Sequence, residues 1–144
     1  MSSTQRLPYQ SLSPEAYRGL GITKKALANS SLGKQLIDLV YLRTSQINGC
    51  AFCLEMHTAS LRAGGMLDAK LDSLGGWRVS AHFSERERAA LAWTEALVDV
   101  AHSHASDDDF ELLEAQFSDV EIADLSFAVA LMSAFNRLAI GMRQ

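Results

Sequence analysis

Both prolines of this chain, Pro8 and Pro14, fall within its first fourteen residues. Everything after them is free of the residue that most reliably ends a helix. Apolar residues beyond that point recur at helical spacing, with almost no strand-like alternation. The pattern predicts a nearly all-α fold.

Local signals divide the chain into helices. Ser13-Pro14-Glu15 reads as an N-cap, a first-turn proline and an acid favoured by the helix dipole, opening a helix towards Asn29. Leu32 to Gln46 carries a broad apolar face built from Leu36, Leu39, Val40 and Leu42, with Ile47 just beyond, and Asn48-Gly49 interrupts it. The next helix begins at or beside Cys50 and closes at Gly64-Gly65. A short helix around Asp68 to Leu74 leads into an expected loop through Gly75-Gly76-Trp77.

Ser84-Glu85-Arg86-Glu87 and Ser118-Asp119-Val120-Glu121 both fit the capping box, in which serine and glutamate satisfy each other's free backbone amides. The first predicts a helix to about His102 and the second a helix to about Met142. Between them, Ser106 precedes the acidic turn Asp107-Asp108-Asp109 and a short amphipathic helix to Phe117. That acidic run reads as a helix start rather than a metal site. Leu125 to Phe135 is apolar nearly all round, which implies a central helix or one packed on a neighbouring subunit.

Length and composition fit one domain over residues 1–144, with 48% hydrophobic and 21% charged residues. A formal net charge of -4 argues against a polyanion binder, so nucleic acid is not an expected partner. The N-terminus lacks the apolar core of a secretory signal. No run approaches the ~18 uninterrupted apolar residues of a membrane span. A soluble, cytoplasmic protein is expected, with no membrane partner.

Reactive chemistry is concentrated in one place. The only two cysteines, Cys50 and Cys53, form a C-x-x-C pair with His57 four residues after the second. On a helix these positions share a face, so the sulfurs can touch and His57 stands one turn beyond Cys53. Two such thiols can deliver two electrons and be recharged by another dithiol. A helix start favours thiolate, and an imidazole can take the thiol proton. Helix position favours Cys50 as the attacking sulfur, whereas proximity to His57 favours Cys53; the second argument is preferred here.

Other uses of the motif fit less well. A structural zinc site needs four ligands, and there is no second cysteine pair. Covalent haem needs histidine directly after the second cysteine, where Leu54 stands. A thioredoxin fold needs a strand before the motif, where the pattern is helical. Glu55 reads as surface, and His82, His102 and His104 as loop or helix-end residues without a ligand role. Arg43 and Arg137 lie in apolar stretches and are expected to be held in ion pairs. Trp77, Trp93 and the methionines read as packing.

The segment from Asp38 to Cys53, Asp-Leu-Val-Tyr-Leu-Arg-Thr-Ser-Gln-Ile-Asn-Gly-Cys-Ala-Phe-Cys, with His57 after it, resembles the core signature of the AhpD-like alkylhydroperoxidases. These lie within the carboxymuconolactone decarboxylase superfamily. Residues Phe83 to Ala96 and Asn136-Arg137-Leu138-Ala139-Ile140 are similar to single-domain members, so the resemblance covers most of the chain. It implies an all-helical subunit assembling into trimers or hexamers. It also implies a peroxidase of organic hydroperoxides or hydrogen peroxide, in which the second cysteine attacks and the first resolves.

No bound cofactor is implied; the reductant would be an external dithiol or a lipoylated protein. The resemblance also places a carboxylate twelve residues before the first cysteine, in a proton relay with the histidine. That position is Asp38, where glutamate is usual, and the shorter side chain implies weaker activity. Some members carry histidine between the cysteines, where this chain has Phe52. Decarboxylases of the superfamily lack the cysteine pair, so their activity is not implied. Two other readings keep the same residues: a disulfide oxidoreductase or redox relay, and a non-catalytic helical assembly that senses redox state or binds metal.

Overall fold

A computed structural model describes residues 4–144. Among them the secondary structure is helical throughout: α1 (Tyr9–Leu12), α2 (Pro14–Leu27), α3 (Lys34–Asn48), α4 (Ala51–Ala63), α5 (Asp68–Asp72), a 3-10 helix (Leu74–Val79), α6 (Glu85–Val98), α7 (Val100–Ser103), α8 (Asp107–Glu114) and α9 (Asp119–Met142). The all-α expectation holds.

Helix α3 is the hub, packing against α4, α6 and α9, while α2 lies along α9 and α8 along α6. Its sequence explains this role, because apolar residues occupy two of its faces. Ile37, Val40 and Tyr41 join the larger core with Leu125, Val129 and Met132 of α9, and both cysteines belong to that core. Leu39 and Leu42 turn the other way, into a second core with Leu61, Leu74, Trp77 and Leu91. A helix apolar on two faces must lie between layers.

Helix α9 is long and apolar enough by composition to cross a membrane, yet 44% of that stretch is buried within the fold. It is a core helix with an uncovered side, where Phe127 is 61% exposed.

Both capping boxes form with reciprocal bonds, at Ser84 with Glu87 and at Ser118 with Glu121. Ser106 likewise accepts from the Asp109 amide. Four expectations change. Ser13 precedes α2 but its side chain caps nothing, since its backbone (φ -129, ψ 68) departs from the usual cap geometry. The expected loop at Gly75-Gly76-Trp77 winds into the 3-10 helix, anchored by buried Leu74 and Trp77. The helix expected to reach His102 breaks at Asp99 and restarts as α7. Arg137 is exposed rather than buried, so its place in an apolar stretch requires no buried counter-charge.

Candidate active site

Helix α3 stops at Gly49, whose left-handed backbone (φ 73, ψ 39) lets its N–H donate back to the Ser45 carbonyl. The next residue, Cys50, is extended (φ -89, ψ 97) and is the N-cap of α4. Cys53 therefore falls in the first turn of α4, one turn from Cys50. Both are free thiols and almost fully buried, at 1% and 2% exposure. Their Sγ atoms lie 2.6 Å apart. A disulfide needs an approach of only about half an ångström more.

Burial pushes the Cys53 thiol well above its ordinary range, and the contact with Cys50 adds to this. The polar side chains of Asn136 and Ser45 pull the other way. These two belong to a polar strip in the apolar core. Asn48 Nδ2 donates to Asn136 Oδ1 at 3.1 Å, Asn136 Nδ2 donates to Ser45 Oγ at 3.0 Å, and Ser45 Oγ donates to the Tyr41 carbonyl at 2.8 Å.

His57 is 3% exposed, and its Nε2 is buried without a hydrogen-bond partner. Burial lowers its pKa to about 4, against an upward pull from Asp38, while Lys24 and Lys34 lower it further. The ring is therefore neutral at neutral pH, the form that can accept a proton. It packs against Tyr41, with centroids 5.3 Å apart. The Tyr41 hydroxyl is also buried and unpartnered, and burial followed by the charge of Asp38 raises it to about 12.

Asp38 does not hydrogen-bond to His57. Its Oδ2 accepts from Ser60 Oγ at 2.8 Å and pairs with Lys34 one turn earlier. Asp38 and His57 nonetheless line one cavity of about 290 Å3 together with Lys24, Lys34, Tyr41 and Ser60. A second cavity, of about 230 Å3, has Cys53 in its wall among Tyr9, Tyr17, Phe52, Met56 and Phe135. The two cavities share Lys24 and Met56, and Cys50 lines neither.

Of the four residues singled out in the sequence, Cys50 and Cys53 meet at the start of α4, while His57 in the middle of that helix shares a cavity with Asp38, which bonds to Ser60 near the helix's other end. Ser45, Tyr41 and Asn136 had no role assigned from sequence. Asn136 carried a signal: an amide in the long apolar stretch of α9 must find partners once buried. Glu55 is exposed, as read, and His82, His102 and His104 are exposed too. Arg43 pairs with Glu95 at 3.0 Å within the chain, and Trp77 Nε1 donates to the same carboxylate at 2.8 Å. Among the described residues, no group of three His, Cys, Asp or Glu side chains is placed to hold a metal ion.

An all-helical subunit with a C-x-x-C pair at the start of a central helix is the architecture of AhpD-like proteins. Residues 14–96 match the carboxymuconolactone decarboxylase family, more than half of the chain, and the protein belongs to that family. Its fold closely matches the crystal structure of an Agrobacterium tumefaciens protein of unknown function, provisionally called an AhpD antioxidant defence protein. That match has a TM-score of 0.93 and 38% identity over 98% of this chain and 97% of the other.

An uncharacterized peroxidase-related protein from Ralstonia eutropha JMP134, described as an alkylhydroperoxidase AhpD core, matches with a TM-score of 0.79 and 27% identity. That alignment covers 93% of this chain and 73% of that one. The uncharacterized Bacillus subtilis protein YdfG is 27% identical over 139 residues, 96% of this chain and 95% of its own.

Proposed function

We propose that this protein is a thiol-dependent reductase of organic hydroperoxides. The observation that carries the reading is the buried sulfur pair, 2.6 Å apart, with Cys53 alone opening onto a largely apolar cavity. An apolar wall suits the alkyl or aryl body of a hydroperoxide, and Cys53 is the sulfur such a molecule would meet. The names borne by relatives at 38% and 27% identity point the same way.

In the proposed cycle Cys53 loses its proton to neutral His57, directly or through water, with Asp38 biasing the ring by its charge. The thiolate attacks a peroxide oxygen, the O–O bond breaks, and the alkoxide takes a proton and leaves as the alcohol. Cys53 is then a sulfenic acid. The Cys50 thiolate displaces its hydroxide, which leaves as water, and a disulfide forms. An external dithiol or lipoylated protein returns two electrons and two protons. A dithiol on a slender arm suits sulfurs this buried, whereas their burial counts against a disulfide on a folded protein's surface as substrate.

Stopped-flow mixing of the reduced protein with cumene hydroperoxide, followed by mass spectrometry of the cysteines, tests the reading. The expected result is rapid formation of a Cys50–Cys53 disulfide. Cys53→Ser should abolish oxidation, while Cys50→Ser should stop at sulfenic acid after one equivalent. Turnover surviving in the double cysteine variant would sink the proposal.

A further inference from the structure

The cavity at Cys53 and the cavity at His57 are walled by the same two helices, and each helix passes from one to the other along its length. On α2, Tyr17, Gly21 and Lys24 line the Cys53 cavity, while Lys24, followed by Ala28 at the helix end, lines the His57 cavity. On α4, Phe52, Cys53 and Met56 line the first, and Met56, His57 and Ser60 the second. Residues three or four apart share a helix face. The cavities are therefore successive parts of one groove between α2 and α4, meeting where Lys24 and Met56 line both.

Charge is distributed unevenly along this groove. In the wall of the Cys53 cavity Lys24 is the one charged side chain among the described residues. The His57 cavity adds Lys34 and Asp38, but these two pair with each other. Among the described residues no carboxylate lies within ion-pair distance of Lys24. Its side chain is exposed, yet its charge is felt inside the fold, where it helps to lower the His57 pKa. An apolar wall with one uncommitted cation suits a molecule that has a hydrocarbon body and a negative end.

We propose that Lys24 selects the substrate, by pairing with a carboxylate on the hydrocarbon body of a hydroperoxide whose O–O group lies at Cys53. This rests on the peroxidase reading above and narrows it to hydroperoxides that carry a carboxylate. Lys24 holds a part of the substrate that does not react, so it acts on capture of the peroxide and not on breaking the O–O bond.

Cumene hydroperoxide and para-carboxycumene hydroperoxide differ only by the carboxylate, so the ratio of their rates is an internal control. The reduced protein is mixed with each at low salt without any reductant, and second-order rate constants for thiol loss are measured by rapid quench. Wild type should favour the carboxylated peroxide about tenfold, the effect of one ion pair at a partly screened site. Lys24→Met should bring the ratio to about one, and Lys24→Glu should push it below one. Lys25→Met removes the same charge from a neighbour that lines neither cavity, and it should keep the wild-type ratio. A wild-type ratio near one, or equal losses in the Lys24 and Lys25 variants, overturns the proposal.

Binding of para-isopropylbenzoate, which has the carboxylate but no peroxide, is titrated by NMR in parallel. Its Kd should rise about tenfold in Lys24→Met, and an unchanged Kd is equally fatal. Oxidation by both peroxides at equal rates would remove the role of Lys24 and leave the peroxidase reading standing. Lys24-dependent binding of para-isopropylbenzoate to a protein that neither peroxide oxidises would do the reverse, keeping a carboxylate site and removing the hydroperoxide as its ligand.

Discussion

Asp38 accepts a hydrogen bond from Ser60 at 2.8 Å, and not from His57, with which it shares a cavity. The aspartate acts on the imidazole through its charge alone, raising a pKa that burial holds at about 4. Adding one methylene should change this. Asp38→Glu extends the carboxylate towards His57, and kcat/KM for cumene hydroperoxide is expected to rise about tenfold, since small errors in placing a proton relay cost rate steeply. Steady-state kinetics decide it; an equal or lower value in a folded Asp38→Glu variant means the present geometry is already the working one.

Lys34 competes for the same carboxylate, yet its side chain is 75% exposed. Exposed ion pairs contribute little to stability, so Lys34→Met should leave the urea midpoint nearly unchanged. The His57 pKa should rise, because Lys34 is one of the charges depressing it. Titration of the imidazole resonances by NMR reports the shift. An unchanged His57 titration would show that Lys34 is screened from the ring.

The depressed pKa of His57 has a stability consequence with a defined sign. Its folded value, about 4, lies below the ordinary 6.5, so protons bind the unfolded chain more tightly. The contribution is complete above about pH 6.5 and is lost as pH falls towards 4, by at most about 3 kcal/mol. Urea unfolding of wild type and His57→Phe at pH 7 and pH 4.5 should show a smaller pH dependence in the variant. Parallel losses in the two proteins would place the acid sensitivity elsewhere.

What could be read from the sequence follows the range of the interactions involved. The boxes at Ser84 and Ser118 were legible because both partners lie within four residues. The placing of His57 one turn beyond Cys53 follows from helical spacing alone, whereas the approach of Cys50, an extended N-cap, also needs the turn at Gly49. Ser13 has the right residue type but the wrong backbone, and no local pattern reports that. The 3-10 helix at Gly75-Gly76-Trp77 depends on Trp77 reaching Glu95, eighteen residues away. Asn136 meets Ser45 across 91 residues, so that bond arises only when α9 packs on α3. Arg43 and Arg137 looked alike in their apolar neighbourhoods; only folding distinguishes the one paired with Glu95 from the one facing solvent.

Gly49 links the fold to the chemistry, because its left-handed turn delivers Cys50 to the N-cap of α4. A Cβ built there meets nothing within 4 Å, so any cost of Gly49→Ala is conformational and not steric. An alanine at φ +73 is expected to destabilise the fold by about 1–2 kcal/mol, measured by urea unfolding. Relief of that strain would rotate the start of α4 and separate sulfurs now 2.6 Å apart. The variant's disulfide should therefore be easier to reduce, with its equilibrium against dithiothreitol moved towards the dithiol. A loss of stability without that redox shift would show that α4 holds its own start, and that the turn at Gly49 merely joins two helices already placed by their packing on α9.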